Sequence, residues 1–245
     1  IPQLLQFAKE KQINFQSTSV KKIVCLGEPV RNADFSLNEL GRRITENWDV
    51  KLYSTYASTE MGSAFTECGY GMGGHSHPEL LILEVVDDNG ERVRDGELGE
   101  VVVTTLAVEG MPLIRYRTGD LCHVYYNKCL CGRATTRLGP VMGRKQQMIK
   151  FKGTTLFPQT IFNVLHKMPL IELYQIEVAR DEFNNDSVTV LLNSALKSDE
   201  FEHNLLSLFK SILRVTPHIA FITEQELHSR VYKTDKRKPE KIVYV

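Results

Sequence analysis

The sequence predicts a mixed α/β (α+β) protein in two parts, a β-rich first part and a smaller, ferredoxin-like second part. Two observations lead to this division. Up to residue 142, short apolar runs of strand type outnumber helical patterns. From residue 143 on, strands and helices follow one another in β-α-β-β-α-β order, which is typical of ferredoxin-like sandwiches. We therefore predict two domains, 1–142 and 143–245.

The first part contains two helical patterns separated by strand-like runs. The turn signal Asp87-Asp88-Asn89-Gly90 joins two of these runs into a hairpin. The predicted helices cover 1–12 and 36–47, and the predicted strands cover 20–26, 50–53, 80–86, 99–105 and 113–126.

The second part alternates between the two periodicities, with a turn at Gly153 after its first strand. The predicted strands cover 148–151, 173–179, 187–192 and 218–222, and the predicted helices cover 158–168 and 199–213.

Composition excludes several classes of protein. Thirty basic residues balance thirty acidic ones, so no net field favours nucleic acid or an anionic membrane. No apolar run reaches the roughly 18 residues that a membrane span needs. Five unevenly spaced cysteines do not form a secreted disulfide framework and indicate a cytoplasmic setting. The chain starts at Ile1 without an initiator Met, as expected for the interior of a longer polypeptide.

Two short motifs carry the first chemical signal. Residues 56–60, Tyr-Ala-Ser-Thr-Glu, offer an aromatic plane for a base, a hydroxyl donor at Thr59 and a hard oxygen ligand for Mg²⁺ at Glu60. Residues 116–120, Tyr-Arg-Thr-Gly-Asp, end in a carboxylate that can accept from two ribose hydroxyls. Alone, the first motif is also consistent with a Glu60 that caps a helix, and the second with an Asp120 that lies in a turn.

The order of five segments along the chain is a more specific signal than either motif alone. Residues 27–29 (Gly-Glu-Pro), 56–60, 116–120, 143–150 (Gly-Arg-Lys-Gln-Gln-Met-Ile-Lys) and 150–158 occur in one arrangement. This arrangement resembles the adenylate-forming superfamily of acyl-CoA synthetases, luciferases and peptide-synthetase adenylation domains. The run Ile-Arg-Tyr-Arg-Thr-Gly-Asp, followed by Cys129-x-Cys131, is most similar to the phenylacetate–coenzyme A ligase branch.

The resemblance implies a two-step reaction. ATP and a carboxylic acid, here an aryl or arylacetic acid, form an acyl-AMP with Mg²⁺, and the acyl group passes to coenzyme A. By this analogy Gly27, Glu28 and Pro29 border the adenine, on which Tyr56 stacks. Thr59 contacts the α-phosphate, Glu60 holds Mg²⁺, and both Asp120 and Arg144 reach the ribose or phosphate.

The resemblance also implies a small mobile C-terminal domain. Such a domain supplies a catalytic lysine from near the chain end, which one alignment places at Lys238 and another replaces with Arg237. A solvated basic tail is the alternative. Lys150, Phe151 and Gly153 are candidates for the path of the thiol. Gln146 occupies the hinge position, where many relatives have Asp or Lys.

Two departures from the branch follow from the same comparison. Ala57 replaces a glycine, which narrows the acyl or base pocket. No Ser-Gly-Thr-Thr-Gly-Lys type of phosphate loop occurs in the chain. We therefore expect this polypeptide to be the C-terminal portion of a ligase and inactive alone. The alternatives are a noncatalytic, zinc-stapled fragment, or an adenylating enzyme that transfers to a carrier-protein thiol or another cofactor.

Three cysteines and a histidine suggest a structural zinc site. Cys129 and Cys131 lie one residue apart before Gly132, and three thiolates with one imidazole make a closed tetrahedral Zn²⁺ shell. The ligase branch often has these residue types at the positions of Cys68, His75, Cys129 and Cys131. His77 competes as the imidazole, and the alternative is three small buried hydrophobes with a loop histidine.

The remaining predictions concern partners. A hydrolase is dismissed because the chain has no Gly-x-Ser-x-Gly elbow. The basic residues after 230 lack interleaved aromatics, so no nucleic acid is expected. The expected partners are ATP, coenzyme A and a small carboxylic acid. An exposed sheet edge could also associate with a second copy as a homodimer.

Overall fold

The computed structural model describes residues 2–180, 186–235 and 239–245. The chain divides into two compact units, Ile1–Gln146 and Gln147–Val245. The division falls four residues after the boundary expected from the sequence, because a strand of the first unit continues to Arg144. Among the described residues, no helix combines the length and hydropathy needed to cross a membrane.

The first unit is built on one eight-stranded sheet. Strands β1 and β2 pair in parallel, and every other neighbouring pair is antiparallel. The order across the sheet is β1-β2-β3-β4-β8-β7-β6-β5. The strands are β1 (Lys22–Leu26), β2 (Lys51–Ser58), β3 (Ser63–Glu67), β4 (Gly74–His75), β5 (Leu81–Val86), β6 (Leu98–Thr105), β7 (Tyr116–Tyr125) and β8 (Arg137–Arg144), and the helices are α1 (Pro2–Glu10) and α2 (Glu39–Asn47).

Two apolar clusters hold this unit together. The larger lies under the antiparallel strands, and the smaller packs α2 and its preceding loop against β1 and β2. The Asn38 side chain accepts a hydrogen bond from the Gly41 amide and so caps α2. Strand β2 also contacts β4 and β8, so the sheet curls at this point. The larger cluster contains Met61, Phe65, Leu81, Val85, Val101, Val103, Cys122, Val124 and Leu138.

The second unit has its own sheet and core. Its four-stranded sheet has the order β13-β12-β11-β14, and a separate hairpin joins β9 to β10. Strands β11 and β12 are antiparallel, whereas β12–β13 and β11–β14 are parallel. The strands are β9 (Ile149–Phe151), β10 (Thr154–Leu156), β11 (Tyr174–Arg180), β12 (Asp186–Asn193), β13 (His218–Ile222) and β14 (Ile242–Tyr244), and the helices are α3 (Pro158–Leu165), α4 (Asp199–Leu213) and α5 (Glu224–Val231).

The mixed fold class is confirmed, with one correction in the second unit. The strand predicted over 148–151 is not in the main sheet. Lys152 and Gly153 have left-handed φ values of 48° and 74°, so the chain turns back at once and β9 pairs locally with β10. Strand β14, which the sequence did not reveal, occupies a sheet edge next to β11.

Candidate functional site

The Tyr56 side chain contacts the Asp120 carboxylate, although the two residues are far apart in the sequence. The Tyr56 hydroxyl donates to Asp120 Oδ2 at 2.8 Å, and Arg144 Nε donates to Asp120 Oδ1 at 3.0 Å. Asp120 and Arg144 are direct partners in the β7–β8 ladder. The curl of the sheet brings β2 towards these strands, so the two motifs and the start of the third form one cluster.

The Asp120 carboxylate can accept hydrogen bonds from further donors. Asp120 is 7% exposed, and each of its carboxylate oxygens accepts one of the two described hydrogen bonds. Since a carboxylate offers about four acceptor positions, it retains capacity for two hydroxyls of a diol. The Arg144 side chain is 61% exposed and can reach a bound anion.

The Tyr56 phenol is held in its protonated form. Burial raises the pKa of Tyr56, and the charge of Asp120 raises it further. The Phe65 ring stacks on the Tyr56 ring at a centroid distance of 5.8 Å and fixes its plane. Tyr56 therefore serves as a hydrogen-bond donor and as an oriented aromatic surface.

Thr59 and Glu60 lie in the exposed turn after β2. The Glu60 backbone amide, the Ser58 hydroxyl and the charge of Arg144 lower the pKa of Glu60, so its carboxylate is ionised at neutral pH. The predicted helix-capping alternative for Glu60 is wrong, since strand β3 and not a helix follows. Ala57 lies on β2, half-buried, opposite Ala64 of β3.

Residues 27–29 begin beside the same cluster. Strands β1 and β2 are parallel and Leu26 pairs with Thr55, so Gly27 follows at the end of the sheet where Tyr56 lies. Gly27 has a φ of +85°, which glycine adopts readily, and Glu28 is exposed. The Asn38 side-chain Nδ2 donates to the Pro29 carbonyl at 2.7 Å and ties this loop to the start of α2.

The remaining predicted residues belong to the second unit or to its boundary. Lys150 is exposed on β9 and Gly153 forms the hairpin turn. The Lys150 amide donates to the buried Asp186 carboxylate at 2.6 Å, a contact that the sequence did not suggest. Gln146 is the last residue of the first unit. Lys238 and the alternative Arg237 lie outside the described residues.

Cys68, His75, Cys129 and Cys131 converge, as the metal hypothesis requires. Their ligand atoms all lie within 4.8 Å of one another. The Sγ atoms of Cys68 and Cys129 are 3.7 Å apart, and Cys131 Sγ is 3.5 Å from His75 Nε2. A tetrahedral Zn²⁺ with ordinary bond lengths would give sulfur–sulfur and sulfur–nitrogen separations of about 3.8 and 3.6 Å. The four residues therefore fit a zinc ion.

The neighbours of His75 orient it for metal binding. His75 Nδ1 hydrogen-bonds Thr135 Oγ1 at 2.9 Å, which leaves Nε2 facing the three thiols. Burial lowers the pKa of His75, as do Arg133 and Arg137, so the ring is neutral and has a lone pair for a metal. The competing His77 points instead to Glu79 Oε1, at 3.1 Å.

The thiols are perturbed in opposite directions. Burial raises the pKa of Cys68. Burial also acts to raise the pKa of Cys129, but hydrogen bonds from the Cys131 amide and the neighbouring thiols outweigh it and lower that pKa. Cys129 is thus better prepared than Cys68 to become a thiolate ligand.

Three supporting residues were missed by the sequence analysis. The buried Arg137 donates to the carbonyls of Met72 and Asn127 and so joins the two loops that carry the cysteines. The buried Glu67 pairs with Arg31 next to Cys68. The sequence gives no signal for any of the three, because charged residues are usually exposed and none of them lies in a predicted helix or strand.

Known proteins that are similar to this chain in sequence are coenzyme A ligases. No protein-family model matches the chain. Over 178 residues the chain is 33% identical to a phenylacetate-coenzyme A ligase of Thermus thermophilus, covering 71% of this chain and 39% of the relative. A phenylacetate-coenzyme A ligase of Pseudomonas putida is 35% identical over 162 residues, 62% of this chain and 35% of that protein. The chain thus spans less than two fifths of the length of these relatives.

Solved structures share the fold. A 2-hydroxyisobutyryl-CoA ligase in the postadenylation state, in complex with R3-HIB-AMP, matches with a TM-score of 0.79 at 23% identity, over 99% of this chain and 52% of that one. The o-succinylbenzoate CoA synthetase of Bacillus subtilis, in complex with the acyl-adenylate intermediate OSB-AMP, matches with a TM-score of 0.64 at 16% identity, over 97% and 50%.

Proposed function

We propose that the chain, which belongs to the phenylacetate–coenzyme A ligase family, forms the C-terminal portion of an AMP-forming acid–thiol ligase. The enzyme joins an aryl or arylacetic acid to the α-phosphate of ATP and releases pyrophosphate. It then transfers the acyl group to the thiol of coenzyme A and releases AMP. The observation that carries this proposal is that Tyr56 and Arg144 both donate hydrogen bonds to the Asp120 carboxylate.

In this proposal the first unit binds the nucleoside. Asp120 accepts from the two ribose hydroxyls, and Tyr56 presents its oriented ring to the adenine. Residues 27–29 border the base, because they follow the strand that runs parallel to β2. Ala57, which is larger than the glycine usual in the branch, narrows the pocket on this side and restricts the acids that fit.

Three side chains stabilise the negative charge at the α-phosphate. Thr59 donates a hydrogen bond to a phosphate oxygen, and the ionised Glu60 holds Mg²⁺ through its carboxylate. Arg144, whose exposed guanidinium influences Glu60, neutralises the charge that gathers as the acyl–phosphate bond forms. Preorganised charges of this kind are the largest catalytic contribution expected for such a reaction.

The second unit completes each half-reaction as a mobile domain that pivots near Gln146. Lys238 approaches the adenylate in the first step, and Lys150 and Gly153 line the path of the coenzyme A thiol in the second. The separate core of this unit supports the proposal, because a domain that packs by itself can move as one body.

Zinc has a structural role in this scheme. Cys68, His75, Cys129 and Cys131 fill four positions around the ion and leave no open site for catalysis. The ion joins the loop after β3 to the loop after β7 and stabilises both motif-bearing strands. Elemental analysis of chelator-washed and reloaded protein should find a single zinc ion per chain, and zinc far below that ratio would exclude the site.

The proposed setting of the enzyme is the cytoplasm. None of the five cysteines forms a disulfide, which supports a reducing compartment. The partners are small molecules, namely ATP, coenzyme A and the acid. The edge strand β1 exposes Val24 and Leu26, which could pair with a second copy in a homodimer.

The decisive test is acid-dependent pyrophosphate release by the full-length ligase that carries this chain. A panel of benzoic, phenylacetic and short aliphatic acids is assayed with ATP, and coenzyme A is then added to follow thioester formation. We expect release with at least one aromatic acid, loss of it in Asp120→Asn, and retention in Asp49→Asn, an exposed carboxylate of the same unit. The absence of release with every acid would contradict the proposal.

A further inference from the structure

Arg31 and Glu67 form a buried ion pair that the nucleotide site and the metal site do not use directly. Arg31 Nε donates to both carboxylate oxygens of Glu67, at 2.8 and 2.9 Å. The two side chains are only 15% and 2% exposed. Glu67 also accepts from the Ser54 amide at 3.0 Å, and Arg31 donates to the Phe35 carbonyl at 3.0 Å. The pair therefore ties three separate segments together.

The position of this pair in the chain connects the two candidate sites. Glu67 immediately precedes the metal ligand Cys68 at the end of β3. Arg31 lies two residues after Pro29 in the loop 27–38, which joins β1 to α2 and begins with the three residues proposed to border the adenine; we call it the adenine-side loop. A change in the backbone at Cys68 thus reaches the adenine-side loop through one side-chain contact.

The loop between the metal ligands Cys68 and His75 also covers Arg31 directly. A Cβ atom at Gly71 would lie only 2.5 Å from Arg31 Nη2, so the backbone of this loop packs tightly on the guanidinium. Gly71 has a φ of +63° and its amide donates to the Cys68 carbonyl at 3.0 Å. Both ends of this loop therefore carry candidate metal ligands, Cys68 and His75.

We propose that Arg31 is a positioning residue that couples metal binding to the order of the adenine-side loop. A metal ion fixes Cys68 and His75, and this keeps Glu67 and Gly71 against the Arg31 guanidinium. Arg31 in turn holds the residues after Pro29. The nucleotide role of that loop rests on the proposed function, whereas the coupling itself concerns only this chain and its metal.

Two backbone amides report on the order of this loop. The Asn32 amide donates to the Ser36 carbonyl, and the Asn38 amide donates to the Val30 carbonyl. Their hydrogen-exchange rates, measured by NMR on the 245-residue chain, give the frequency at which the loop opens. The Leu227 amide, bonded to the Thr223 carbonyl in the second unit, is the reference.

We expect removal of zinc by a chelator to accelerate exchange at Asn32 and Asn38 by about 5- to 150-fold, the usual range of coupling between sites. Exchange at Leu227 should not change. In Arg31→Gln the two loop amides should exchange rapidly even with zinc bound, and chelation should add nothing further. This non-additivity distinguishes coupling from a merely structural contribution of Arg31, whose effect would add to that of zinc removal.

Arg115→Gln is the matched control, because Arg115 makes an exposed ion pair with Glu84 elsewhere in the same unit. It should respond to chelation as the unaltered chain does. If Arg31→Gln fails to fold, Glu67→Gln preserves the side-chain volume and an acceptor for Ser54, and should show the same loss of coupling.

Two results would overturn the coupling. One is unchanged exchange at Asn32 and Asn38 on chelation while the Gly71 amide accelerates. The other is a full chelation response in Arg31→Gln. Protein that takes up no zinc by elemental analysis would instead refute the metal site, and the coupling with it, without bearing on nucleotide binding.

Discussion

Asp120 is the residue at which the candidate nucleotide site converges. The sequence predicted a shared role for Tyr56, Asp120 and Arg144, because their motifs resemble those of adenylate-forming enzymes. It did not predict the hydrogen bond between Tyr56 and Asp120, since three strands separate β2 from β7 in the sheet order. That contact depends on the curl of the sheet, which is a tertiary property with no local sequence signal.

Glu100 is a second residue whose role appears only in the structure. Its nearly buried carboxylate pairs with Arg117 at 2.8 Å and lies 3.5 Å from Lys145, the residue before Gln146. Burial alone would raise the pKa of Glu100, but Arg117 and Lys145 outweigh it and lower that pKa below its ordinary value of 4.5. The ionised form is therefore the one that the folded protein stabilises.

This lowered pKa predicts a specific pH dependence of stability. The contribution of Glu100 is fully present above about pH 4.5, the unfolded value, and is lost as the pH falls through the folded pKa. Glu100→Gln should lower the free energy of unfolding by about 1–2 kcal/mol at pH 7. In urea titrations from neutral to acidic pH, the difference between the two proteins should close as the pH falls. A difference that is constant with pH would contradict this account.

At the scale of secondary structure, local signals predicted some elements well. The Asp87-Asp88-Asn89-Gly90 turn correctly indicated the β5–β6 hairpin. The amides of Asn89 and Glu91 donate to the Asp87 side chain, and the Gly90 amide donates to the Asp87 carbonyl, which closes the turn. Helix α4 was predicted with its observed ends, since Ser198 caps its first turn ahead of an amphipathic run.

Other elements have no local signal. Strands β3 and β4 consist mainly of small or polar residues, and β8 contains two glycines and a proline. They are strands because neighbouring strands pair with them, and such context overrides intrinsic propensity. Helix α5 has a polar sequence and was missed because only Leu227 and Val231 are buried.

The hairpin β9–β10 gives a prediction at this scale. The Asp186 carboxylate accepts from the Lys150 amide at 2.6 Å and from Arg180 Nε at 3.2 Å. Asp186→Asn weakens both charge-assisted bonds and should destabilise the second unit by about 1–3 kcal/mol. Hydrogen exchange at the Lys150 amide should accelerate accordingly.

Asp199→Asn is the control for this variant, since Asp199 is an exposed carboxylate in the first turn of α4. Unchanged exchange at Lys150 in Asp186→Asn would mean that the hairpin does not depend on this carboxylate. In that case the alignment of Lys150 would have to come from the local pairing of β9 with β10 alone.

At the scale of the whole molecule, the two units have separate cores, and the metal ligands all lie in the first. A metal that binds only the folded state stabilises the unit that contains it. Scanning calorimetry should therefore show that chelation shifts the unfolding of the first unit to lower temperature and leaves that of the second unchanged.

Cys131→Ala should reproduce the effect of chelation in the presence of zinc, because it removes one ligand at a half-buried position of the cluster. Cooperative unfolding of both units in a single transition that shifts with zinc would show that they do not behave independently. The prediction of two domains from the sequence depends on that independence.

The central claim is that Tyr56, Asp120 and Arg144 bind the nucleoside of an acyl-adenylate. Isothermal titration of the full-length ligase with a phenylacetyl-adenylate mimic, in which a sulfamoyl group replaces the phosphate, tests it most directly. We predict tight binding that falls by about 10- to 100-fold in Asp120→Asn, the loss expected for hydrogen bonds to a charged group. Equal affinity in Asp120→Asn and the unaltered enzyme would contradict the account.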